Sequence, residues 1–179
     1  MTILGAIIAG GRARRFDGDK GAAHINERAL IDHIALALGA QVDDLVIVGR
    51  EWAGLTAIAD RPAPANGPLG GLCAALHHAR ALGHDYVLCA SCDTLPVPDE
   101  MAQHLAPAPA VVEGQWLLGY WPAELAGALD DWLGSQEDRS MRGWMRLIGA
   151  RIVPLPITFV NINTREDLAR AQQMLNKAD

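Results

Sequence analysis

Residues 3 to 20, Ile-Leu-Gly-Ala-Ile-Ile-Ala-Gly-Gly-Arg-Ala-Arg-Arg-Phe-Asp-Gly-Asp-Lys, constrain the fold more than any other stretch of this chain. The first half is an Ile-rich apolar run, which suits a strand buried on both faces of a parallel sheet. Gly10-Gly11 then ends the strand. Without a Cβ the backbone reaches conformations other residues avoid, and it can pass very close to a ligand. Four cations follow, Arg12, Arg14, Arg15 and Lys20, around Phe16 and the turn-forming Asp17-Gly18-Asp19. Backbone N–H groups beside such cations suit a polyphosphate. A solvated basic loop after a glycine turn is the plainer reading. The stretch fits neither a Walker A loop, because Gly21 stands where Ser or Thr should follow Lys20, nor a dinucleotide fingerprint, because Arg12 follows Gly11.

Strands and helices alternate after this opening. Leu30, Ile31, Ile34 and Leu38 recur at helical spacing, and Gly39 supplies a stop. Leu45–Val48 and Leu55–Ala59 read as short strands, the second ending at Asp60. The irregular segment Arg61–Pro68 leads into a helix carrying Leu69, Leu72, Leu76, Ala79 and Leu82, and Tyr86–Ala90 reads as another buried strand. This alternation predicts an α/β fold, a mostly parallel sheet with helices on both faces. Right-handed crossovers would gather residues 10–20, 49–54, 60–68 and 91–98 along one edge, where open α/β sheets bind ligands.

Asp93 sits just past the third of these strands, on a loop stiffened by Pro96 and Pro98. A carboxylate there can face phosphates, and Mg²⁺ prefers one or two carboxylates together with phosphate oxygens. A turn-forming or capping role is the other reading. Beyond it, Ala110–Glu113 and Trp116–Tyr120 can pair across Gly114-Gln115, and Pro122–Leu133 and Ser140–Leu147 read as helices, the latter closed by Gly149. A final strand, Ile157–Ile162, would put Asn161 and Asn163 on one side. Thr164-Arg-Glu-Asp167 then forms a capping box for the last helix. Arg139 and Arg142 stand at the entrance of the Ser140 helix beside Trp144, where free amides, two guanidinium groups and an indole suit a flat anionic molecule. Solvated arginines and core tryptophans are the competing account.

At 179 residues the chain is the length of one domain, with about 1–100 expected to bind nucleotide and about 101–179 an acceptor. A formal net charge of −6 argues against a nucleic-acid surface. No stretch of about 18 uninterrupted apolar residues predicts a membrane span, and the N-terminus enters a strand directly, so a cytoplasmic protein is expected. Cys89-Ala-Ser-Cys92 has the C-x-x-C spacing, but the prolines after it disfavour the helix on which redox chemistry depends. The six histidines are scattered in sequence, and no second cysteine pair completes a zinc motif.

Ala9-Gly10-Gly11 with Arg15 and Lys20 resembles the A-G-G-x-x-x-R-x-x-x-x-K pattern of nucleotidyltransferases that join a phosphorylated acceptor to a nucleoside triphosphate. Within that superfamily, Asp19-Lys20-Gly21, Gly67-Pro68-Leu69, Cys92-Asp93 and Asn161-Ile-Asn-Thr-Arg-Glu-Asp-Leu168 are similar to segments of the molybdenum cofactor guanylyltransferases. The resemblance implies a single-domain Rossmann-like three-layer αβα sandwich of the nucleotide-diphospho-sugar transferase type. It also implies transfer of GMP from Mg–GTP to the terminal phosphate of molybdopterin, with molybdenum cofactor synthesis or recipient enzymes as partners. Ile8, Ala9, Gly10, Gly11, Lys20, Asp60, Gly67, Pro68 and Asp93 would bind the nucleotide. Arg15, Lys20 and Asp93 would serve catalysis, with Asp93 holding Mg²⁺. Arg139, Arg142, Asn161 and Asn163 would face the acceptor. Cytidylyl transfer, a sugar-phosphate acceptor, and an inactive nucleotide-binding partner protein stay open. The chain departs from the family at Gly49, where asparagine is common, and at Gln115-Trp116-Leu117, where H-P-T is usual.

Overall fold

Ile3–Ile8 forms a strand with a parallel neighbour on each side, as its apolar run predicts. The computed structural model describes residues 1–10, 19–63, 67–135 and 139–176. In chain order the strands are β1 (Ile3–Ile8), β2 (His24–Ile25), β3 (Arg28–Ala29), β4 (Asp44–Val48), β5 (Thr56–Ile58), β6 (Tyr86–Ser91), β7 (Thr94–Leu95), β8 (Ala110–Val112), β9 (Gln115–Pro122), β10 (Arg151–Val153) and β11 (Val160–Asn161). The α-helices are α1 (Leu30–Gly39), α2 (Gly67–Leu82), α3 (Met101–Leu105), α4 (Ala126–Ser135), α5 (Met141–Ile148) and α6 (Arg165–Leu175). The main sheet has seven strands in the order β10-β8-β9-β6-β1-β4-β5. β9 runs against both of its neighbours and the other pairings are parallel, so the sheet is mostly parallel.

Alternation along the strands sorts side chains into two cores. Leu4, Ala6 and Ile8 of β1 pack with α2, α4 and α5, whereas Ile7 faces α1, α3 and α6. The result is a three-layer αβα sandwich. Burying a side chain such as Ile7 or Ile47 contributes roughly 1.5–3 kcal/mol each.

Several local expectations shift in the folded chain. Pro122 ends β9 rather than opening a helix, and a 3-10 turn, Ala123–Leu125, precedes α4. Pro122 can sit there because its φ of −61° is extended-compatible when ψ is 131°. The predicted strand over Ile157–Ile162 shrinks to Val160–Asn161, which leaves the main sheet and pairs antiparallel with Thr94–Leu95. Arg151–Val153, not expected as a strand, extends the sheet beside β8. The helix over Ser140–Leu147 forms as α5, with the Ser140 hydroxyl accepting from Gly143 N–H and Gly149 closing it at φ +65°. The capping box at α6 forms, with Thr164 accepting from Asp167 N–H and Asp167 accepting from Thr164 N–H.

Candidate functional site

The carboxyl ends of β1, β4, β5 and β6 carry Ile8–Gly10, Gly49, Asp60 and Ser91–Asp93 along one edge, because these strands run parallel in register. Ile8 ties two of them together. Its carbonyl accepts from Cys92 N–H at 3.1 Å, and the next residue, Ala9, donates to Val48 O at 3.0 Å. Gly10 therefore leaves β1 squeezed between the ends of its neighbours.

The squeeze explains Gly49. Its φ is +85°, and a Cβ there would stand 2.7 Å from Gly10 Cα and 2.9 Å from Gly10 N. Gly49→Ala is expected to cost about 1–3 kcal/mol of stability. The substitution should also displace Gly10 from the strand end, and the melting temperature should fall. A variant that melts like the parent would contradict this close approach. The Asp60 carboxylate stands on the other flank, about one van der Waals contact (3.5 Å) from where a Gly10 Cβ would lie. Burial raises its pKa above the usual carboxylate value.

Lys20 reaches the same edge from a 3-10 turn, Lys20–Ala22, capped by the Asp19 carboxylate accepting from Gly21 N–H at 3.1 Å. Arg50 grips that carboxylate with two N–H groups, at 2.8 and 2.6 Å, and its guanidinium lies 5.0 Å from the Trp52 ring centroid. The fork geometry holds the Asp19 carboxyl below the ordinary carboxylate range. Gly21 has no room for a side chain, since a Cβ would meet Ile31 Cδ1 at 2.6 Å and Arg50 Nη1 at 2.9 Å.

So held, Lys20 Nζ donates to Asp93 Oδ2 at 2.6 Å and to Asn163 Oδ1 at 3.3 Å. The Ser91 hydroxyl donates closely to Asp93 Oδ1, and Thr94 Oγ1 lies 3.3 Å from the same oxygen. Thr94 Oγ1 also donates to Asn161 Oδ1 at 2.8 Å. Asn161 and Asn163 thus lie on the site side of the chain, with buried Ile162 between them. Ile162 N–H donates to Asp93 O at 2.8 Å, which ties the two loops together. The cluster offers one carboxylate, one ammonium and several amide and hydroxyl oxygens, a set that can hold a metal–phosphate group. Gly67 and Pro68 start α2 at this edge, both exposed, Pro68 in the first-turn position where its missing N–H costs nothing. Gly11 and Arg15 lie outside the described residues.

The two tryptophans near the second half divide. Trp144 is fully buried and packs against Trp132, ring centroids 6.4 Å apart, so its indole faces the core and cannot stack on a ligand. Trp116 is half-exposed and carries the Arg142 guanidinium 5.6 Å from its centroid. Antiparallel pairing sets Cys89 opposite Gly119, so the residues before Gly119 run towards the Asp93 end of the sheet. Trp116, Arg142, Met145 and Arg146 line a groove there. Arg139 lies exposed just before α5.

Cys89 and Cys92 are three apart along a strand and its end, so they do not share a face. Burial pushes both thiols up to about 11, and the Cys89 thiol donates to Leu117 O at 3.1 Å. Neither is a ready thiolate. Sequence reasoning missed Ser91, Thr94 and Arg50. The two-residue spacing of Ser91 and Asp93 carried a usable signal, whereas Arg50 is 31 residues from Asp19 and carried none.

The family described as the MobA-like NTP transferase domain matches residues 5–152. A molybdenum cofactor guanylyltransferase of Cereibacter sphaeroides is 36% identical, the alignment covering 99% of each chain. One of Sinorhizobium fredii is 29% identical over 97% of this chain and 92% of its own length. Among solved structures, molybdopterin-guanine dinucleotide biosynthesis protein A from Archaeoglobus fulgidus superposes with a TM-score of 0.77 at 22% identity, covering 97% of this chain and 99% of that one. Among the described residues, no helix is long and apolar enough to cross a membrane.

Proposed function

The chain belongs to the MobA-like NTP transferase family, and from that premise we propose that it transfers GMP from GTP to the terminal phosphate of molybdopterin, giving the guanine dinucleotide cofactor and pyrophosphate. The observation that carries the reading is the Lys20–Asp93 pair, 2.6 Å long, at the ligand edge of a chain aligned almost end to end with relatives named guanylyltransferases.

A phosphate monoester has a second pKa near 6, so the attacking oxygen is already ionised near neutral pH. No general base is needed. Catalysis is then positioning and charge stabilisation. The Gly10 backbone approaches the triphosphate, and Lys20 exchanges Asp93 for a phosphate oxygen. Asp60 meets the nucleoside, with Gly67 and Pro68 beside the base; Arg15 adds a second cation. Asp93, with Asn161 and Asn163 near it, is an all-oxygen donor set of the kind Mg²⁺ takes, and these residues would hold it. Mg²⁺ bound there supplies Lewis-acid stabilisation of charge on the phosphates.

We assign the acceptor to the groove beside Trp116, with residues from about 101 onward. Arg142 and Arg139 at the start of α5 grip a phosphate, and the half-buried Trp116 ring offers its open side to the flat pterin. Changing both arginines to alanine should raise the acceptor KM, or lower its kcat/KM, by tenfold or more (~1.4 kcal/mol), with GTP binding unchanged. Unaltered acceptor kinetics in a well-folded double variant would remove this groove from the site.

Pyrophosphate release with GTP, CTP, ATP and UTP, each with and without molybdopterin, tests the whole reading. Release is expected with GTP and acceptor together. A preference for CTP, release that does not require molybdopterin, or no turnover with any pair would each overturn it.

A further inference from the structure

Away from the phosphate edge, Cys73, His77 and Asp130 bring a sulfur, an imidazole nitrogen and a carboxylate oxygen within 4.8 Å of one another. Cys73 and His77 are one turn apart on α2 and share a face, and Asp130 comes from α4, which packs on α2. Cys73 Sγ lies 3.1 Å from Asp130 Oδ1, and His77 Nε2 lies 2.5 Å from Asp130 Oδ2. That second contact is close without hydrogen-bond geometry, and the His77 Nε2 atom is buried with no aligned partner. Arg61 donates to Asp130 Oδ2 at 3.2 Å, and its own N–H is fixed to Gly70 O at 3.1 Å.

The arrangement is not that of a nucleophilic triad. Cys73 and His77 each meet Asp130, and among the described residues no hydrogen bond joins His77 to the thiol it would have to deprotonate. Burial holds the Cys73 thiol at about 12, which leaves it protonated and inert in the absence of a cation.

We propose that Cys73, His77 and Asp130 form a binding site for a borderline-soft divalent transition metal of the Zn²⁺ class, joining α2 to α4. Thiolate, imidazole and carboxylate are the three ligand types such an ion takes, and a water completes a tetrahedral set. The sulfur and nitrogen donors set this site apart from the all-oxygen set at Asp93, which suits a hard cation. As the metal–sulfur bond forms, the thiol proton leaves to solvent. Arg61 remains on the Asp130 carboxylate as an outer partner that fixes its orientation. The site does not depend on the proposed transferase activity.

The test is titration of chelator-treated full-length protein with Co²⁺, read by the sulfur-to-cobalt charge-transfer band in the near ultraviolet. One equivalent of Co²⁺ giving that band, displaced by Zn²⁺ and not by Mg²⁺, is expected. Cys73→Ser should abolish the band, whereas Cys92→Ser, which removes the thiol beside Asp93, should keep it. His77→Gln, on a side chain 28% exposed and thus able to change without disturbing the core, should weaken Co²⁺ binding at least tenfold in a chain that circular dichroism shows folded. The proposal is overturned if no band forms, if the band follows Cys92 and survives Cys73→Ser, or if His77→Gln binds Co²⁺ like the parent.

Discussion

Asp93→Ala is expected to abolish turnover, lowering kcat by roughly 10²–10³-fold or more, the loss seen when one group that stabilises transition-state charge is removed. The fold should survive. Asp93 lies past the end of β6, its side chain is 25% exposed, and its structural tie to Ile162 runs through the backbone carbonyl, which alanine keeps. No core cavity opens. Lys20 retains Asn163 Oδ1 as a partner at 3.3 Å. The pair is part-buried, with side chains 14% and 25% exposed, so its loss is expected to cost about 1–3 kcal/mol and to lower the melting temperature by several degrees without unfolding the chain. Asp93→Asn sharpens the test, because it preserves shape and hydrogen bonding to Ser91 and Thr94 while removing the charge. It should be almost as inactive. Near-normal Mg-dependent activity in either variant would sink the metal assignment.

Lys20→Ala should weaken GTP by roughly 10- to 150-fold and leave GMP almost untouched. One charge-assisted hydrogen bond contributes about 1.5–3 kcal/mol, and in the proposed site the Lys20 ammonium serves the triphosphate rather than the base. The pairing with Asp93 favours the lower part of that range, since binding GTP would exchange one anionic partner of Lys20 for another. Isothermal titration with the two nucleotides measures the difference directly. Equal losses for GTP and GMP would place Lys20 away from the terminal phosphates. Lys20→Arg is not expected to restore binding, because the longer fork must fit beside Arg50, which already occupies Asp19.

The strand-end edge that carries Lys20 and Asp93 was legible in the sequence, and the groove beside Trp116 was only partly so. Ile3–Ile8, Tyr86–Ser91 and the glycines between strand and loop announce themselves through local composition, and alternation of such elements leaves few topologies. Lys20 and Asp93 each stood at a strand-end loop, so their common edge followed from the parallel alternation. Trp116 and Trp144 have the same chemistry and nearby positions, yet one lines a groove and the other lies in the core. Trp144 lies on the inward face of α5 with Met141 and Met145, and that face is only defined once α5 docks on the sheet.

What the sequence determined by itself is local: which segments are strands or helices, where they stop, and which polar residues stand at their ends. Turn chemistry, period and capping act within a few residues, so Ser140, Gly149 and Thr164 marked their helices from the chain alone. Tertiary structure alone decided which distant groups meet. Arg50 closes on Asp19, Lys20 on Asp93 across 73 residues, and Asp130 on Cys73 across 57. It also placed β9 against the run of the sheet and moved Val160–Asn161 out to pair with β7. Those outcomes depend on strand order, register and helix docking, which are set by burying both faces of the sheet at once and leave no periodic trace in the sequence.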